Sequence, residues 1–577
     1  MSRKRALGNR PILGIYGYDA DKPLRGYRHN GGAALVLADG RVPFALEEER
    51  LTRIKNDAAY PLQSIERTLA VAATDRIALA GWPRYRFFAD AMCNIRTMQA
   101  AAISNESRRH FRGRLLDFPI NTLGAALLRL PNVPRPLRQL PVSRIRHHDA
   151  HAASAYHCCP WPERDVLVIT LDAAGDAHCG GVWIGKGGKL EQQLAIPQLH
   201  SVGAVYSTVT MFLGFKPHRH EGKILGLAAY GDPKPFGEKL LAHVDCTGDY
   251  PLFDATLLEL AYGRFAEPIM REMTAGMSRE EISAGIQYFT EATLTTLAAH
   301  WARKTGLTHL AVAGGVFSNV KLNQRILELP EVENLYIQPN MGDGGLALGA
   351  AMAQLAAEQN GLLPQFLHSC YLGPDIAENE AEGAFTAAGV GYSRPADMAA
   401  TAADLLAAGK VVARAAGCME YGPRALGNRT VFAACSDPAI NKWLNDRLQR
   451  TEFMPFAPII MEEHARAYFP DWRPEHVAAR FMTLTYNASE LAKANIPAAI
   501  HVDGTARPQV LRREDNPEVH ALLAAYYARS GVPVLINTSF NMHEEPIVCS
   551  ASDAVRAYRL GHLDALICGP FLAEAAQ

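Results

Sequence analysis

The sequence predicts an α/β protein built from two domains. Its 577 residues are too many for one hydrophobic core, and 48% hydrophobic with 20% charged residues is typical of a folded chain. Patterns of buried strands alternate with helical patterns, and one strand–turn–strand unit occurs twice in the first third of the chain. The alternation predicts sheets covered by helices, and the repeat predicts a duplicated α/β fold.

The repeated unit has the pattern of β-hairpins separated by glycine-containing turns. Its first copy, AALVLADGRVPFALEEER, covers residues 33–50, and its second copy, VLVITLDAAGDAHCGGVWIGKGGKLEQQLAI, covers residues 166–196. Asp-Gly and Gly-Gly pairs favour hairpin turns because these turns need positive φ angles. We therefore predict strand, turn, strand in the first copy and three strands joined by an Asp-Gly-rich turn and a Gly-Gly turn in the second.

Helices and strands alternate from residue 280 onward. A long helical segment, EEISAGIQYFTEATLTTLAAHWARKTG, is followed by strand HLAVAGG, helix VKLNQRILEL, strand NLYIQPN and helix GLALGAAMAQLAAEQ. The turn-rich segment NGLLPQFLHSCYLGP then places a boundary near residue 362. We predict domains 1–362 and 363–577, the second being α/β with strands KVVARAAG, FMTLTYN, PVLINTSF and DALICGP.

The overall charge argues against several classes of partner. Lys+Arg 58 against Asp+Glu 59 gives a net charge of −1, so there is no electrostatic case for nucleic acid or an acidic membrane surface. No apolar run approaches the roughly 20 residues needed to span a bilayer. The 10 cysteines lack CxxC spacing, which indicates reduced structural thiols in a cytoplasmic protein.

The most specific motif of the first domain predicts a metal site. His147 and His151 in RHHDAHAASAYHCC are spaced i, i+4, so on a helix their imidazoles share one face, whereas His148 points elsewhere. Asp172 follows strand VLVITL and Asp343 follows strand NLYIQPN, at the sheet edge where α/β folds bind ligands. Such a donor set suits Fe(II), Mn(II) or Zn(II). The alternatives are surface histidines, a turn aspartate and a helix N-cap.

Glycines mark a candidate phosphate site in the same domain. Gly314 and Gly315 follow a strand in AVAGGVFSN, and Asn319 falls near the start of the next helix. Gly344 and Gly345 in GDGGLALG repeat the arrangement. Backbone N–H groups at such places can face an anion, although a tight turn is the alternative for each pair.

Basic and polar residues of the second domain predict another phosphate site. Loops rich in glycine and proline beside apolar strands carry Arg424, Arg429, Arg447, Arg450, Arg507, Ser539 and Asn541. Guanidinium groups can hold phosphate oxygens in pairs. Arginines that are solvated or paired with nearby acids are the alternative.

Together these motifs resemble the O-carbamoyltransferases typified by the tobramycin enzyme, together with the nodulation-factor and cephamycin carbamoyltransferases. The matching stretches follow the family's order and cover nearly the whole chain. They are EEERLTR, HHDAHAASAY, HEGKILGLAAYG, AGGVFSN, GDGGLALGAA, EYGPRALGNR, FMPFAP, HVDGTARPQ and NTSFNMHEEPIV.

The resemblance implies a fold and an activity. The first domain would be similar to the TsaD-type metal-dependent domain of the actin-like ATPase class, and the second similar to YrdC. The second domain would join carbamoyl phosphate to ATP, releasing pyrophosphate and forming carbamoyl adenylate. The first would pass the carbamoyl group to a hydroxyl of a small-molecule acceptor, such as an antibiotic, toxin or glycoside. Whether the protein is a homodimer stays open.

The resemblance also implies roles for particular residues. The metal ligands would be His147, His151, Asp172 and Asp343, and His29 would be the general base beside the acceptor, since imidazole titrates near neutrality. The adenylate in the first domain would be held by Lys55, Gly226, Gly315 and Asn319. In the second domain Arg424 and Arg429 would bind ATP, and carbamoyl phosphate would be bound by Arg450, Arg507, Ser539 and Asn541.

The chain departs from the family pattern at a few positions. The usual His-Asp pair is His29-Asn30, and cationic family residues are replaced by Leu448, Met454 and His543. Because these last positions bear on phosphate binding, a protonated imidazole and the neighbouring Arg447 are the remaining candidates to compensate.

Two other functions are alternatives to carbamoyl transfer onto a small molecule. A tRNA threonylcarbamoyl-transfer enzyme would share both folds, but tRNA binding needs a cationic surface that a net charge of −1 does not suggest. A nucleotide-binding regulatory protein with an actin-like core would not need every metal-site residue together with the intact NTSFN motif.

Overall fold

In a computed structural model of the protein, residues 10–17, 29–57, 59–81, 105–106, 137, 139–263, 265–449 and 453–575 are described. The chain forms two compact units, Met1–Glu48 with Ala58–Leu367, and Glu49–Asp57 with His368–Gln577. The sequence placed the boundary at residue 362, a few residues before His368. It gave no sign that residues 49–57, which begin with helix α1 (Glu49–Thr52), belong to the second unit.

The first unit contains two five-stranded sheets. The first sheet consists of β1 (Ile12–Tyr16), β2 (Gly32–Val36), β3 (Phe44–Glu47), β4 (Arg76–Ala80) and β5 (Val142–Ile145). The second consists of β6 (Val166–Gly175), β7 (His178–Lys186), β8 (Lys189–Pro197), β11 (His309–Ala313) and β12 (Asn334–Ile337), and a separate small hairpin pairs β9 (Val244–Asp245) with β10 (Leu252–Phe253).

The two sheets have the same topology. Their orders are β3-β2-β1-β4-β5 and β8-β7-β6-β11-β12, in which an antiparallel three-stranded meander is extended by two parallel strands. This confirms the duplicated α/β arrangement that the repeated hairpin pattern predicted. Parallel neighbours need crossover connections, and described helices lie in sequence between β1 and β4, between β6 and β11, and between β11 and β12.

The helices of the first unit are α2 (Leu62–Val71), α3 (His147–His157), α4 (Val202–Phe212), α5 (Glu221–Ala228), α6 (Lys234–Leu241), α7 (Ala255–Tyr262), α8 (Ala266–Met273), α9 (Arg279–Thr305), α10 (Val320–Leu327) and α11 (Leu346–Gln359). The longest, α9, has both ends encoded locally. Ser278 and Glu281 form a capping box at its start, and Gly306 ends it at a φ of 70°. None of the helices in the described part of the chain has the length and apolar character needed to span a bilayer.

One hairpin turn differs from the prediction. Gly187 and Gly188 form the expected turn between β7 and β8, with φ of 55° and 81°. The preceding turn instead lies at Asp176 and Ala177, with φ of 51° and 71°, while Gly175 remains in β6. The reason for glycine at position 175 is steric, since an added Cβ would lie 2.3 Å from the ring of His147.

Helix α3 is buried on almost every side, although its sequence is only weakly hydrophobic. Its alanines allow neighbours to approach closely, and α11 packs directly against it. An added Cβ at Gly349 would lie 1.9 Å from the carbonyl oxygen of Ala150, so this contact requires glycine. The close packing fixes α3, and with it the histidines of its first turns.

The second unit is α/β, as predicted, and is built around a seven-stranded sheet of order β18-β15-β19-β14-β13-β20-β21. Its strands are β13 (Val412–Ala415), β14 (Arg429–Ala433), β15 (Ala457–Met461), β18 (Gln509–Leu511), β19 (Val534–Ser539), β20 (Ala565–Cys568) and β21 (Phe571–Glu574), with β16 (Tyr486–Asn487) and β17 (Thr505–Ala506) paired separately. The helices besides α1 are α12 (Glu378–Ala388), α13 (Met398–Ala407), α14 (Ala439–Arg447), α15 (Glu462–Tyr468), α16 (Glu490–Asn495), α17 (Pro517–Ser530) and α18 (Ala551–Leu560).

Three of the four strands predicted for this unit are present, and FMTLTYN is the exception. Phe481 ends a 3-10 helix, Met482 has a left-handed φ of 55°, and only Tyr486–Asn487 is a strand. Residues 481–486 are all buried, so the apolar character of this segment reflects burial of an irregular stretch, which a short apolar run does not distinguish from a strand.

Candidate active site

The four side chains that the sequence proposed as metal ligands come together in the first unit. One ligand atom from each of His147, His151, Asp172 and Asp343 lies within 4.8 Å of all the others. The Nε2 atoms of the two histidines are 3.2 Å apart. His151 Nε2 is 3.4 Å from Asp172 Oδ2, and His147 Nε2 is 3.5 Å from Asp343 Oδ1. The four side chains therefore form one compact cluster.

Three elements deliver these side chains. The histidines lie one turn apart on α3, as the i, i+4 spacing predicted. Asp172 is within β6, where the pairing with β7 shifts register between Leu171 and Gly175. Such an irregularity re-aims a side chain and is common beside active sites. Asp343 opens a 3-10 turn between β12 and α11.

Neighbouring groups hold the two carboxylates. The Tyr16 hydroxyl, from β1, donates to Asp343 Oδ2 at 2.5 Å. The backbone N–H of Ala173 donates to Asp172 Oδ1 at 2.7 Å, and that of Gly315 donates to Asp172 Oδ2 at 3.3 Å. Asp343 is thus held by tertiary contacts and does not act as the simple helix N-cap that was the alternative.

The electrostatics of the cluster favour a cation. Burial disfavours the imidazolium form of His147, but Asp343 and Asp172 outweigh it and raise the pKa of His147 to about 9. Burial also opposes ionisation of Asp172, yet hydrogen bonds with His147 and His151 hold the pKa of Asp172 well below its usual value. The two carboxylates therefore stabilise positive charge on His147, a role that a divalent cation can take over.

His148 does not take part in the cluster. Its Nδ1 lies 3.0 Å from Thr170 Oγ1 and its Nε2 lies 3.3 Å from the carbonyl oxygen of His178. Burial and the neighbouring histidines lower the pKa of His148 well below its usual value. It is a neutral side chain that ties α3 to β6 and β7.

Two further histidines lie near the cluster. Burial raises the pKa of Asp343, but His147 and, to a smaller extent, the nearby His29 contribute to lowering it below its usual value. The ring centroid of His29 is 6.3 Å from that of His218, whose backbone N–H donates to Glu221 Oε1 at 2.6 Å. The sequence analysis did not single out His218, although it lies two residues before the HEGK stretch that marked the family.

The remaining first-domain residues are placed differently. Gly315 lies against Asp172, where an added Cβ would be 3.1 Å from Oδ1. Asn319 caps α10 by accepting from Leu322 N at 3.0 Å, and its amide pairs with Gln287. Gly226 is buried inside α5. The prediction that Lys55 belongs to the first domain is wrong, because residues 49–57 belong to the second unit.

Arg429 is completely buried in the second unit. Its guanidinium donates to the carbonyl oxygens of Gly417 at 2.9 Å, Pro374 at 3.1 Å and Cys549 at 3.4 Å. These bonds tie three loops to the first residue of β14. The geometry favours a structural role for Arg429, in contrast to the ATP contact that the resemblance implied.

The other predicted residues of this unit are found in loops or at strand ends. Arg424 and Arg507 are partly buried, Ser539 is the last residue of β19, and Arg450 lies outside the described residues. The Asn541 side chain donates to the carbonyl oxygens of Met542 at 2.8 Å and Glu545 at 3.0 Å. Asn541 therefore shapes the loop that follows β19.

Two of the positions that depart from the family pattern, Leu448 and His543, are in contact. Leu448 is fully buried, and its carbonyl oxygen accepts from His543 N at 3.1 Å. The His543 side chain is 34% exposed and can carry charge, while Met454 is partly buried. Arg447 is exposed and stacks on Trp443 at 5.1 Å. The backbone of His543 is therefore adjacent to that of Leu448, so two of the departing positions are neighbours.

The fold and the site define a two-unit α/β protein with a His₂Asp₂ cluster. Comparison with known sequences matches residues 23–352 to the carbamoyltransferase N-terminus and residues 403–575 to the carbamoyltransferase C-terminus. The chain belongs to the carbamoyltransferase family, and it is a carbamoyltransferase.

Individual relatives agree with this assignment. Nodulation protein NolNO of Sinorhizobium fredii is 32% identical over 94% of this chain and 78% of that protein. Nodulation protein NolO of Bradyrhizobium diazoefficiens is 35% identical over 74% of this chain and 78% of that protein. Among solved structures, full-length HypF in its phosphate- and nucleotide-bound form aligns with 60% of this chain and 46% of its own, at 15% identity and a TM-score of 0.30.

Proposed function

We propose that this carbamoyltransferase forms carbamoyl adenylate from carbamoyl phosphate and ATP and passes the carbamoyl group to a hydroxyl of a small-molecule natural product, with the help of a divalent metal. The observation that carries the proposal is the closed cluster of His147, His151, Asp172 and Asp343. The proposed acceptor is a metabolite rather than a nucleic acid or membrane, since the net charge is −1.

The donor set fits a divalent metal of intermediate softness. Two imidazole nitrogens and two carboxylate oxygens suit Fe(II), our first choice, as well as Mn(II) and Zn(II). A bound metal would supply Lewis-acid polarisation of the carbamoyl carbonyl. The four side chains would hold the ion, while Tyr16 and Gly315 keep the carboxylates in place.

The chain's own groups supply the rest of the transfer step. His29 stands beside the cluster and is proposed to take the proton of the acceptor hydroxyl as that oxygen attacks the carbonyl carbon. AMP then leaves with the electrons of its bond to that carbon. His218 lies next to His29 and is placed to orient the acceptor or the base.

Product analysis tests the proposal. The metal-loaded protein, incubated with ATP and carbamoyl phosphate, should release pyrophosphate, and a panel of hydroxylated natural products should yield a product heavier by one carbamoyl group. Omitting ATP or carbamoyl phosphate serves as the control. Carbamoylation that proceeds without ATP would overturn the adenylate route.

Tyr16→Phe should weaken metal binding by about 10–100-fold, because groups that orient a metal-binding carboxylate have effects of this size. The substitution removes only the hydroxyl that donates to Asp343. Calorimetric titration with Fe(II) or Mn(II) gives the Kd. Tyr230→Phe is the matched control, since Tyr230 is 53% exposed. An unchanged Kd in Tyr16→Phe would show that the hydroxyl does not support the site.

Arg507→Ala should raise the KM for carbamoyl phosphate roughly tenfold or more, since losing a charged hydrogen bond costs about 1.5–3 kcal/mol. The KM for ATP should change little. Because Leu448 and Met454 carry no charge, Arg507 is expected to contribute a larger part of the binding free energy for carbamoyl phosphate. Pyrophosphate release at varied carbamoyl phosphate measures the effect, and exposed Arg513→Ala is the control. An unchanged KM would place the donor pocket elsewhere.

A further inference from the structure

Residues 49–57, which we call the docking segment, belong to the second unit although the chain before and after them belongs to the first. Two hydrogen bonds within the segment stabilise its conformation. Glu49 Oε2 accepts from Asn56 N at 2.6 Å, and the Thr52 hydroxyl donates to Asp57 Oδ2 at 2.7 Å. Its two arginines reach outward to the main chain of two different loops.

Arg53 holds the loop that follows β19. Its guanidinium donates to the carbonyl oxygens of Ile547 at 2.7 Å and Pro546 at 2.6 Å, and its Nε is 3.5 Å from Asp553 Oδ1. The Arg53 side chain is 22% exposed. A planar guanidinium can bind two successive carbonyls and a carboxylate at once, which lysine cannot do.

This loop, residues 540–548, carries Asn541, one of the predicted carbamoyl phosphate residues. Ser539 precedes it, and Asn541 holds its inner side through Met542 and Glu545. Val548 N donates to the Phe540 carbonyl at 2.9 Å and closes its base. Arg53 therefore fixes the returning arm of the loop whose first arm bears Ser539 and Asn541.

Arg50 holds a second loop in the same way. Its guanidinium is 3% exposed, donates to the carbonyl oxygen of Gly422 at 2.7 Å and pairs with Glu49 at 3.2 Å. Gly422 lies two residues before Arg424, the predicted ATP residue, and has a φ of 115°. From the other side, Glu420 Oε1 accepts from the N–H groups of Leu426 and Asn428, both at 2.8 Å.

We propose that the docking segment is an integral part of the adenylate-forming site, with Arg53 and Arg50 as positioning residues for its carbamoyl phosphate loop and its ATP loop respectively. The inference rests on the proposed function. The first half-reaction then depends on residues far away in the sequence, and each arginine acts on a different substrate. If the arginines position the two loops, each substitution should affect mainly one substrate. A general loss of stability would affect both substrates alike.

The test measures pyrophosphate release by Arg53→Lys and Arg50→Lys at varied concentrations of each substrate. Lysine keeps the cation beside Asp553 or Glu49 but cannot hold the same carbonyls, so both proteins should fold. Because displacements of about 1 Å can cost 10²-fold, we expect kcat/KM to fall by roughly 10–10²-fold. Arg53→Lys should raise KM for carbamoyl phosphate, and Arg50→Lys should raise KM for ATP. Arg41→Ala, whose side chain is 72% exposed, is the control.

The outcomes separate this inference from the proposed function. Pyrophosphate release by the unsubstituted protein tests the function itself. Unchanged constants in both variants, or equal changes for both substrates, would overturn the positioning role. Where a variant fails to fold, amide exchange of the metal-loaded protein decides the matter. Carbamoyl phosphate should protect residues 49–57 and 540–548 together, and protection of one without the other would reject the proposal.

Discussion

His151→Ala should lose carbamoyl transfer by about 10³-fold or more while still releasing pyrophosphate from ATP and carbamoyl phosphate. The imidazole is completely buried in the cluster, and its removal opens the ligand set. Loss of metal removes several kcal/mol of stabilisation for the charge that develops on the carbamoyl oxygen. The residues proposed to form the adenylate lie in the second unit, so the substitution should leave their structure unchanged. His147→Ala should behave in the same way.

Three measurements on one protein preparation check this result. Metal content should fall, acceptor carbamoylation should vanish, and pyrophosphate release should persist. His243→Ala is the control, because this histidine of the same unit is 32% exposed and pairs only with Asp254 at the surface. If a folded His151→Ala protein lost both half-reactions equally, the two-site scheme would be wrong.

His29→Asn should slow transfer by roughly 10²–10⁴-fold, the usual contribution of a general base. Asparagine can keep a hydrogen bond to the acceptor but cannot accept its proton near neutral pH. His29 Nδ1 is buried and has no hydrogen-bond partner among the residues that the structure describes. Single-turnover transfer from preformed adenylate measures the effect, and pyrophosphate release should stay normal.

His218→Asn is the companion variant, because the two imidazole rings are neighbours. A smaller loss than in His29→Asn is expected if His218 only orients the acceptor or the base. Near-normal transfer in His29→Asn together with a large loss in His218→Asn would move the role of base to His218. Metal content should be unchanged in both variants, since neither residue belongs to the cluster.

The segment Glu47–Glu49 shows where the sequence stops being informative. Glu47 lies against Gly344, where an added Cβ would be 2.3 Å from its Oε1. Glu48 caps α2 by accepting from Ser64 N at 2.7 Å. Glu49 closes the docking segment in the other unit. These three adjacent glutamates have different structural roles because each contacts a different part of the chain. Contacts with residues distant in the sequence produce no local sequence pattern that could predict them.

The sequence by itself determined the features that depend on short spacing. Helical periodicity put His147 and His151 on one face, and the end of a strand located Asp343, because both rules follow from backbone geometry. Asp172 joins the same cluster from within β6, at the register shift, rather than from the strand end that the sequence predicted. The repeated turn pattern likewise predicted the duplicated sheets. Tertiary structure alone decided that Tyr16 holds Asp343, that Arg429 is buried among carbonyls, and that Lys55 belongs to the second unit. Each depends on packing between segments that are not neighbours in the sequence, where burial and hydrogen-bond satisfaction determine which residues meet.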